Sequence, residues 1–273
     1  MSQRHDVEKH LDSLLEISEI MGSMKSLAVM EMHKLSRGQD NVQRVDKTIA
    51  EIADDFRAFY LAPDYFKGNA ALYILLGSER GFCGDFNASI VEHCEVLLTE
   101  EQECFCIAIG QKLYSGMEGD QRLLANVSGA STMEEIGRVM EQLLVQINRI
   151  QEQHGLLSIK VLHHTQDEEI TLLNVFPPFN EAPKPSPFAN RPVLNLNPQL
   201  FYGSLMKYYL YARLSSLLYN SLLTENQRRV QHLEGTLRRI DEQVDELTKK
   251  RNVLRQEEIT EEIEVILLSA GEF

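Results

Sequence analysis

Apolar residues near the start of the chain recur at intervals of seven. One row consists of Val7, Leu14, Met21, Ala28 and Leu35, with Ile17 and Met24 between its members. A seven-residue apolar repeat places a continuous seam on one side of an α-helix, along which a second helix can wind. The pattern predicts an amphipathic helix from residue 5 to about residue 37, and a further helical stretch to about Phe59. The polar segment at 36–41 is a candidate for a kink or break between them.

The last third of the chain shows the same repeat over a greater length. Asn197 followed by Pro198 is a typical helix start, because asparagine caps helices and proline is favoured at the first helical position. No proline follows Pro198, and apolar residues at three- and four-residue spacing form a second seam. Its members are Val230, Leu233, Leu237, Ile240, Val244, Leu247 and Leu254.

A helix of this length needs an apolar partner. At about 1.5 Å per residue, seventy-odd residues extend over roughly 110 Å. No domain of this size has a core that long, so the helix is expected to project from the protein. The first helix carries a matching seam. We therefore expect an antiparallel coiled coil made from the two ends of the chain, with the longer helix overhanging the shorter one.

The middle of the chain changes to short apolar strands that alternate with helical segments. Strands are predicted at 71–77, 104–110, 157–164 and 170–176, and helices at 87–98 and 133–153. This alternation predicts a small, Rossmann-like α/β domain with a mostly parallel sheet.

Three segments follow from these patterns. They are a coiled-coil helix at 1–60, an α/β domain at 68–192 and a long coiled-coil helix at 196–273. Six of the eight prolines lie at 177–192, which we interpret as an extended loop that returns to the long helix.

Charge and cysteine content narrow the function classes. The chain has 27 basic and 41 acidic residues, and its net charge of −14 disfavours nucleic acid, whose binding requires Lys and Arg to neutralise phosphates. The four cysteines match no zinc-binding spacing and are interpreted as reduced, buried thiols. The charged first residues indicate no signal peptide, and no apolar run reaches the ~18 residues of a membrane-spanning helix. We expect no metal, no cofactor and no direct membrane span.

The stretch GSERGFCGDFN at 77–87 follows the first predicted strand, where nucleotide-binding proteins place a phosphate loop. Its glycine spacing matches neither the dinucleotide fingerprint nor the P-loop. Glu79 and Asp85 also place carboxylates where phosphates would have to lie. We interpret the stretch as a tight turn from strand to helix, with Asn87 as the helix N-cap.

This turn resembles the SDRGLCGGFN signature of the gamma subunit of F-type ATP synthases. The matching residues are Arg80, Gly81, Cys83, Gly84, Phe86 and Asn87. The segment RNVLRQEEITEEIEVI at 251–266 is similar, without a gap, to the family's C-terminal pattern Y-N-x-x-R-Q-x-x-I-T-x-E-L-x-E-I. Glu225 and Arg229 fall on the family's E-x-x-x-R motif, and Met24 lies in a segment that fits its N-terminal pattern.

The resemblance implies the central rotor shaft of a rotary ATPase. In that family the coiled coil stands inside a hexamer of alternating alpha and beta subunits, in a 3:3:1 ratio. The α/β domain binds an epsilon subunit and the membrane c-ring. The chain would be a non-catalytic subunit on the cytoplasmic face of the bacterial inner membrane. Its rotation would couple ion flow to ATP synthesis or hydrolysis.

The resemblance also implies which residues contact the hexamer. They are Met24, Arg229, Asn252, Arg255, Gln256 and Thr260. A basic outer face of the long helix would suit an acidic partner; it consists of Arg228, Arg229, Arg238, Arg239, Lys249 and Lys250.

Departures from the family pattern leave alternatives open. Asp85 replaces a glycine, and residues 256–272 contain six acidic and no basic side chains. The acidic tip suggests a divergent branch, such as an alternative ion-pumping F-type ATPase. Two other classes are a coiled-coil adaptor or scaffold with an α/β domain, and an enzyme that uses the α/β domain with a small nucleotide or phosphate.

Overall fold

Two long helices flank a five-stranded sheet in the chain order. The computed structural model describes residues 2–60, 70–100, 104–167, 169–178, 190–191 and 193–270. The elements are α1 (Ser2–Phe59), β1 (Ala71–Leu76), α2 (Phe86–Glu100), β2 (Cys104–Ile109), α3 (Gln111–Gly116), β3 (Leu123–Val127), a 3₁₀ turn (Met133–Glu135), α4 (Ile136–His154), β4 (Ser158–His164), β5 (Ile170–Phe176) and α5 (Pro198–Ala270). Most of the predicted loop at 177–192 lies outside the described residues.

Contacts group these elements into two compact units. The coiled-coil unit comprises Met1–Val29 and Val230–Phe273, and the sheet unit comprises Met30–Arg229. Both α1 and α5 therefore contribute to each unit. The predicted division at 1–60, 68–192 and 196–273 follows elements rather than contacts, and it stays a prediction.

In the coiled-coil unit, α1 and α5 run antiparallel. Arg4 lies 2.8 Å from Glu258, whereas Lys25 lies 3.4 Å from Glu234, so residue numbers rise on one helix as they fall on the other. The apolar seam between them consists of buried Leu14, Met21, Leu233 and Ile240, with Met24, Leu237, Val244 and Leu247 packed beside them. The predicted antiparallel pairing is confirmed.

Details of α1 differ from the prediction. Ile17 is 45% exposed, whereas Leu11 and Leu14 are buried. The side of α1 that faces α5 therefore runs through Leu11 and Leu14 and leaves Ile17 outside. The expected break at 36–41 is wrong, since α1 is one continuous helix. Its buried Leu35 packs in the sheet unit's core, and Gln39 donates a 3.0 Å hydrogen bond to Asn220 of α5. These tertiary contacts outweigh the weak helix propensity of Gly38.

The sheet has the strand order β3-β2-β1-β4-β5. All neighbouring strands are parallel except β4 and β5, which are antiparallel, so the predicted mostly parallel sheet is confirmed. The sequence pattern missed β3 and α3. β3 is a five-residue edge strand with only one buried residue and no alternation of buried and exposed positions, and α3 has six residues, fewer than two helical turns, so neither gives a clear apolar pattern.

Both faces of the sheet are covered. On one face, β1, α4 and α5 form a common core that includes Ile74, Leu143 and Leu217. On the other, α2 and α3 contribute Ile90 and Leu113. β1 is buried at all six positions, so the turn that follows it leaves the centre of the sheet.

Because the seam between α1 and α5 is buried, shortening a side chain within it should destabilise the fold more than shortening an exposed side chain. Leu233 is fully buried in the seam, so Leu233→Ala should lower the free energy of unfolding by about 2–5 kcal/mol through lost transfer energy and a cavity. Urea denaturation followed by helical circular dichroism measures this. The matched control is Ile17→Ala on the exposed side of α1, where we expect a change of about 0.5 kcal/mol or less.

Candidate functional site

The backbone of the signature turn (residues 77–87) forms hydrogen bonds with the end of β2 and with α3. The Gly77 amide donates to the Ile109 carbonyl at 2.9 Å, and the Ser78 carbonyl accepts from the Lys112 amide at 3.1 Å. A Cβ at Gly77 would lie 2.3 Å from the Leu113 Cβ. Glycine is therefore required by this close approach to α3.

Side chains within the turn add further hydrogen bonds. The Asn87 carbonyl oxygen accepts from the Ser78 amide at 2.9 Å, and its amide group donates to Ser78 Oγ at 2.8 Å. Buried Cys83 lies 3.2 Å from the same hydroxyl, and burial raises the pKa of its thiol. The prediction of Asn87 as N-cap is wrong. The Asp85 carbonyl accepts the first helical bond, from the Ser89 amide, and Asn87 instead ties the first turn of α2 to the end of β1.

Glu79 occupies the position where a phosphate would be bound. Its Oε2 accepts from the Gly129 amide at 2.7 Å and from the Gln111 amide at 3.1 Å. These amides follow the carboxyl ends of β3 and β2, the edge at which Rossmann-like sheets bind phosphates. The chain's own carboxylate thus takes the hydrogen bonds that an anionic ligand would need. This geometry favours the interpretation as a structural turn over that as a nucleotide site.

Arg229 of α5 anchors the turn from the other side. Its Nε donates to the Gly81 carbonyl at 3.1 Å and its Nη2 to the Arg80 carbonyl at 3.3 Å. Nη1 donates to Asn226 at 3.0 Å, and Nη2 also contacts the Glu225 carboxylate. Arg229 is only 7% exposed and Glu225 only 3%. Placing Arg229 on an exposed basic face is therefore wrong; its predicted partner contact stays a prediction.

Burial and the neighbouring Arg229 have opposing effects on the pKa of Glu225. Burial raises the pKa of this carboxyl to about 7, while the charge and hydrogen bond of Arg229 lower it. Ionisation of Glu225 therefore costs free energy that the arginine only partly offsets.

The departure at Asp85 has a structural counterpart. Asp85 Oδ1 lies 3.2 Å from Arg228 Nη1 on α5, so this residue adds a second link between turn and helix. Phe82, between the two links, has φ of 63°, a left-handed conformation that is uncommon for a bulky residue. The anchors on both sides hold the turn in this conformation.

The predicted contact residues in the coiled-coil unit have mixed positions. Asn252, Arg255, Gln256 and Thr260 are exposed on α5. The Thr260 hydroxyl donates to the Gln256 carbonyl at 2.9 Å, which leaves its methyl group and the Gln256 amide available to a neighbour. Met24 is instead half-buried against the seam.

The described residues contain neither a candidate metal site nor a candidate membrane span. No group of three or more His, Cys, Asp or Glu side chains in that part of the chain could hold a metal ion. None of the helices described there is both long and apolar enough to cross a bilayer.

A family model described as ATP synthase matches residues 3–271. The chain belongs to this family. A curated relative, the ATP synthase gamma chain of Halothermothrix orenii, is 21% identical over 282 residues, covering 98% of both chains. The gamma chain of Clostridium botulinum (strain Langeland) is 24% identical over 275 residues, covering 96% of this chain and 95% of the relative.

Solved structures show the same fold. A chain in the cryo-EM structure of the Euglena gracilis mitochondrial ATP synthase (OSCP/F1/c-ring) has a TM-score of 0.74 at 14% identity, covering 99% of this chain and 94% of that chain. A chain of the Tetrahymena thermophila central stalk/c-ring has a TM-score of 0.54 at 14% identity, covering 80% and 99%. The resemblance to ATP synthase gamma subunits and the predicted fold class are confirmed.

Sequence reasoning missed the role of Glu225 as a buried partner within the chain. The signal was present in the neighbours of Glu225 and Arg229. Apolar residues precede the motif at Leu222 and Leu223, and a carboxylate and a guanidinium four residues apart on a helix face each other. What the sequence could not supply was the turn whose carbonyls the arginine reaches.

Glu225 predicts a specific dependence of stability on pH. Its pKa in the folded chain, about 7, exceeds the ordinary value of 4.5, so the folded state binds more protons in this window. Stability should therefore fall as pH rises from about 5 to 8, by on the order of 1–3 kcal/mol. Glu225→Gln should flatten this slope, measured as melting temperature against pH. The exposed-carboxylate control, Asp85→Asn, should keep the wild-type slope; an unchanged slope in Glu225→Gln would contradict the assignment.

Proposed function

We propose that this chain is the central rotor shaft, the gamma subunit, of an F-type rotary ATP synthase. The observation that carries the proposal is the match of nearly the whole chain to ATP synthase gamma chains. The antiparallel α1–α5 pair together with a Rossmann-like sheet supports it. The shaft couples ion-driven rotation of a membrane ring to ATP synthesis or hydrolysis in the alpha/beta hexamer. It contributes no catalytic residue itself.

Such a shaft acts through contacts that depend on orientation. A partner shifts a conformational equilibrium only by binding one state more tightly than another. The surface of the coiled coil differs around its long axis, because α1 covers the side of α5 that carries Leu233 and Ile240, whereas Arg238, Arg239, Lys249 and Lys250 are exposed. As the shaft turns, each catalytic subunit meets a different part of this surface, so its open and closed states are stabilised in turn.

The proposed partners are the alpha and beta subunits in a 3:3:1 ratio, an epsilon subunit and the c-ring. The similar Euglena chain comes from an OSCP/F1/c-ring assembly. The subunit is peripheral and membrane-associated through these partners. The finer proposal is the cytoplasmic face of a bacterial inner membrane, which is supported by the bacterial origin of the curated relatives.

Met24, Asn252, Arg255, Gln256 and Thr260 are the proposed contacts with the hexamer. Arg255 is suited to this role because its planar guanidinium can bind a carboxylate with two hydrogen bonds. Arg229 supports the shaft from within through the signature turn.

Co-purification tests the proposed function. When the chain is tagged and co-expressed with the ATP synthase alpha and beta subunits of the same organism, we expect a 3:3:1 complex by native mass spectrometry. A coiled-coil adaptor would be recovered without these subunits. Binding of a nucleotide to the isolated chain with micromolar affinity would support an enzyme instead.

Arg255 and Gln256 allow a test of coupling within that complex. The double variant Arg255→Ala/Gln256→Ala should lower ATPase turnover by about tenfold, because charge-assisted hydrogen bonds contribute about 1.5–3 kcal/mol. Assembly should fall much less. The matched control on the same helix is Asp245→Ala/Glu246→Ala, which should retain turnover. Wild-type turnover of an intact complex carrying the first variant would refute the assigned contact.

A further inference from the structure

Two buried cysteines lie in contact on the face of the sheet that α2 and α3 cover. Cys94 of α2 is 1% exposed and Cys106 of β2 is fully buried. Both belong to the apolar core on this face, and their thiols are hydrogen-bonded to each other. Cys104, two residues before Cys106 on the same strand, belongs to the same core. Three of the chain's four cysteines are therefore gathered between α2 and β2.

A cavity beside Cys94 connects this pair to solvent. Its volume is about 170 Å³, and Cys94 and Arg122 are among the residues that line it. Glu95 and Glu118 also line the cavity and are exposed, so small molecules can enter it. Since one water takes up ~30 Å³ of the liquid, the cavity has room for a molecule as small as hydrogen peroxide. Cys106 is not part of the described lining, so an entering molecule meets Cys94 first.

Electrostatics also distinguish the two thiols. The hydrogen bond from Cys106 and the positive charge of Arg122 lower the pKa of Cys94, although burial and the charges of Asp120 and Glu95 oppose them. The same hydrogen bond and burial raise the pKa of Cys106. The thiolate is the nucleophilic form of cysteine. Cys94 is therefore the member of the pair that can attack an oxidant, and Cys106 is the member that stays a thiol beside it.

We propose that Cys94 and Cys106 form an oxidation site, at which hydrogen peroxide converts their two thiols into a disulfide between α2 and β2. The inference goes beyond the proposed function, because the reaction takes place within the sheet unit and needs no other subunit. The arrangement is that of an oxidisable cysteine next to a second cysteine that resolves its oxidised form.

The reaction has two steps. In the first, the Cys94 sulfur attacks one oxygen of the peroxide; an S–O bond forms, the O–O bond breaks, and the second oxygen leaves as water with the thiol proton. Cys94 is then a sulfenic acid. In the second step the Cys106 sulfur attacks the Cys94 sulfur; the S–S bond forms, the S–O bond breaks, and the hydroxyl leaves as water with the Cys106 proton. The two thiols together lose two electrons, which reduce one peroxide to two waters.

Cys83 gives a comparison within the same chain. It lies in the signature turn, where its sulfur is 3.2 Å from Ser78 Oγ, and burial raises its pKa. The described core around Cys94 does not include it. A buried thiol of this kind is unreactive, so we expect Cys83 to remain reduced under conditions that oxidise the pair.

Peptide mapping of the folded full-length chain tests the proposal. The reduced chain is treated with hydrogen peroxide, its remaining thiols are alkylated in denaturant, and the products are read by mass spectrometry. All four cysteines lie on one tryptic peptide, because no Lys or Arg occurs between Arg80 and Lys112. Cleavage after glutamate instead separates Cys94, which precedes Glu95, from Cys106, which follows Glu103.

We expect a cross-linked product that joins Cys94 to Cys106 and lacks two hydrogens, with Cys83 and Cys104 alkylated. A thiol reductant should restore both alkylated peptides through thiol–disulfide exchange. Circular dichroism before and after treatment checks that the reaction occurs in the folded chain.

Three variants assign the roles. Cys106→Ser should lose the disulfide and accumulate Cys94 as a sulfenic acid, which dimedone traps. Cys94→Ser should also lose the disulfide but leave Cys106 as a thiol, because Cys106 does not line the cavity. The matched control is Cys104→Ser, a substitution in the same core, which should form the disulfide at the wild-type rate.

The mapping of the wild type needs no variant to fold. If the folded wild type keeps all four thiols while the urea-unfolded chain is oxidised, the inference is overturned. A disulfide from Cys94 to Cys104, or oxidation of Cys106 in Cys94→Ser, overturns it as well. None of these results bears on the proposed function, which the 3:3:1 complex tests separately.

Discussion

The pairing of α1 and α5 along one apolar seam is the interaction on which the rest of the structure depends. A 73-residue helix cannot bury its apolar side by itself, and α1 has the same difficulty over 58 residues. In the coiled-coil unit each helix supplies the other's missing surface through Met21 and Leu233. In the sheet unit the same helices also pack with the sheet. There Arg213 of α5 forms a 2.6 Å ion pair with Asp46 of α1, and Glu31 of α1 accepts a hydrogen bond from the Met133 amide.

Arg229 has a different role: it donates hydrogen bonds to backbone carbonyls of a tight turn. A guanidinium has five N–H donors in a fixed fork, and here they reach two turn carbonyls, an amide oxygen and a carboxylate. Glu225 supplies the countercharge, at a desolvation cost visible in its raised pKa. A buried pair of this kind is sensitive to loss of either member, because the remaining charge stays buried and uncompensated. The conformation of the signature turn therefore depends on the Glu225–Arg229 pair of α5.

The seam and the anchored turn make different contributions to a rotor shaft. The seam provides a continuous helical element without an internal proline, and the anchored turn ties α5 to the sheet at the centre of the sheet unit. The exposed side chains of α5 face outward, where other subunits can contact them. Their basic, polar, apolar and acidic groups follow one another along the helix, so different partners meet different chemistry.

The sequence alone determined the elements with long, strongly periodic patterns. Both helices, four of the five strands, the antiparallel pairing and the family were predicted, because burial of one face forces a repeat that is visible in the residues. The sequence also indicated, from Glu79 and Asp85, that the glycine turn does not bind phosphate. Tertiary contacts decided the structure at positions where short-range preferences compete. It kept α1 helical through Gly38, placed Asn87 in a bond to Ser78, and buried Arg229, because the groups that satisfy these residues lie far away along the chain and come close only after folding.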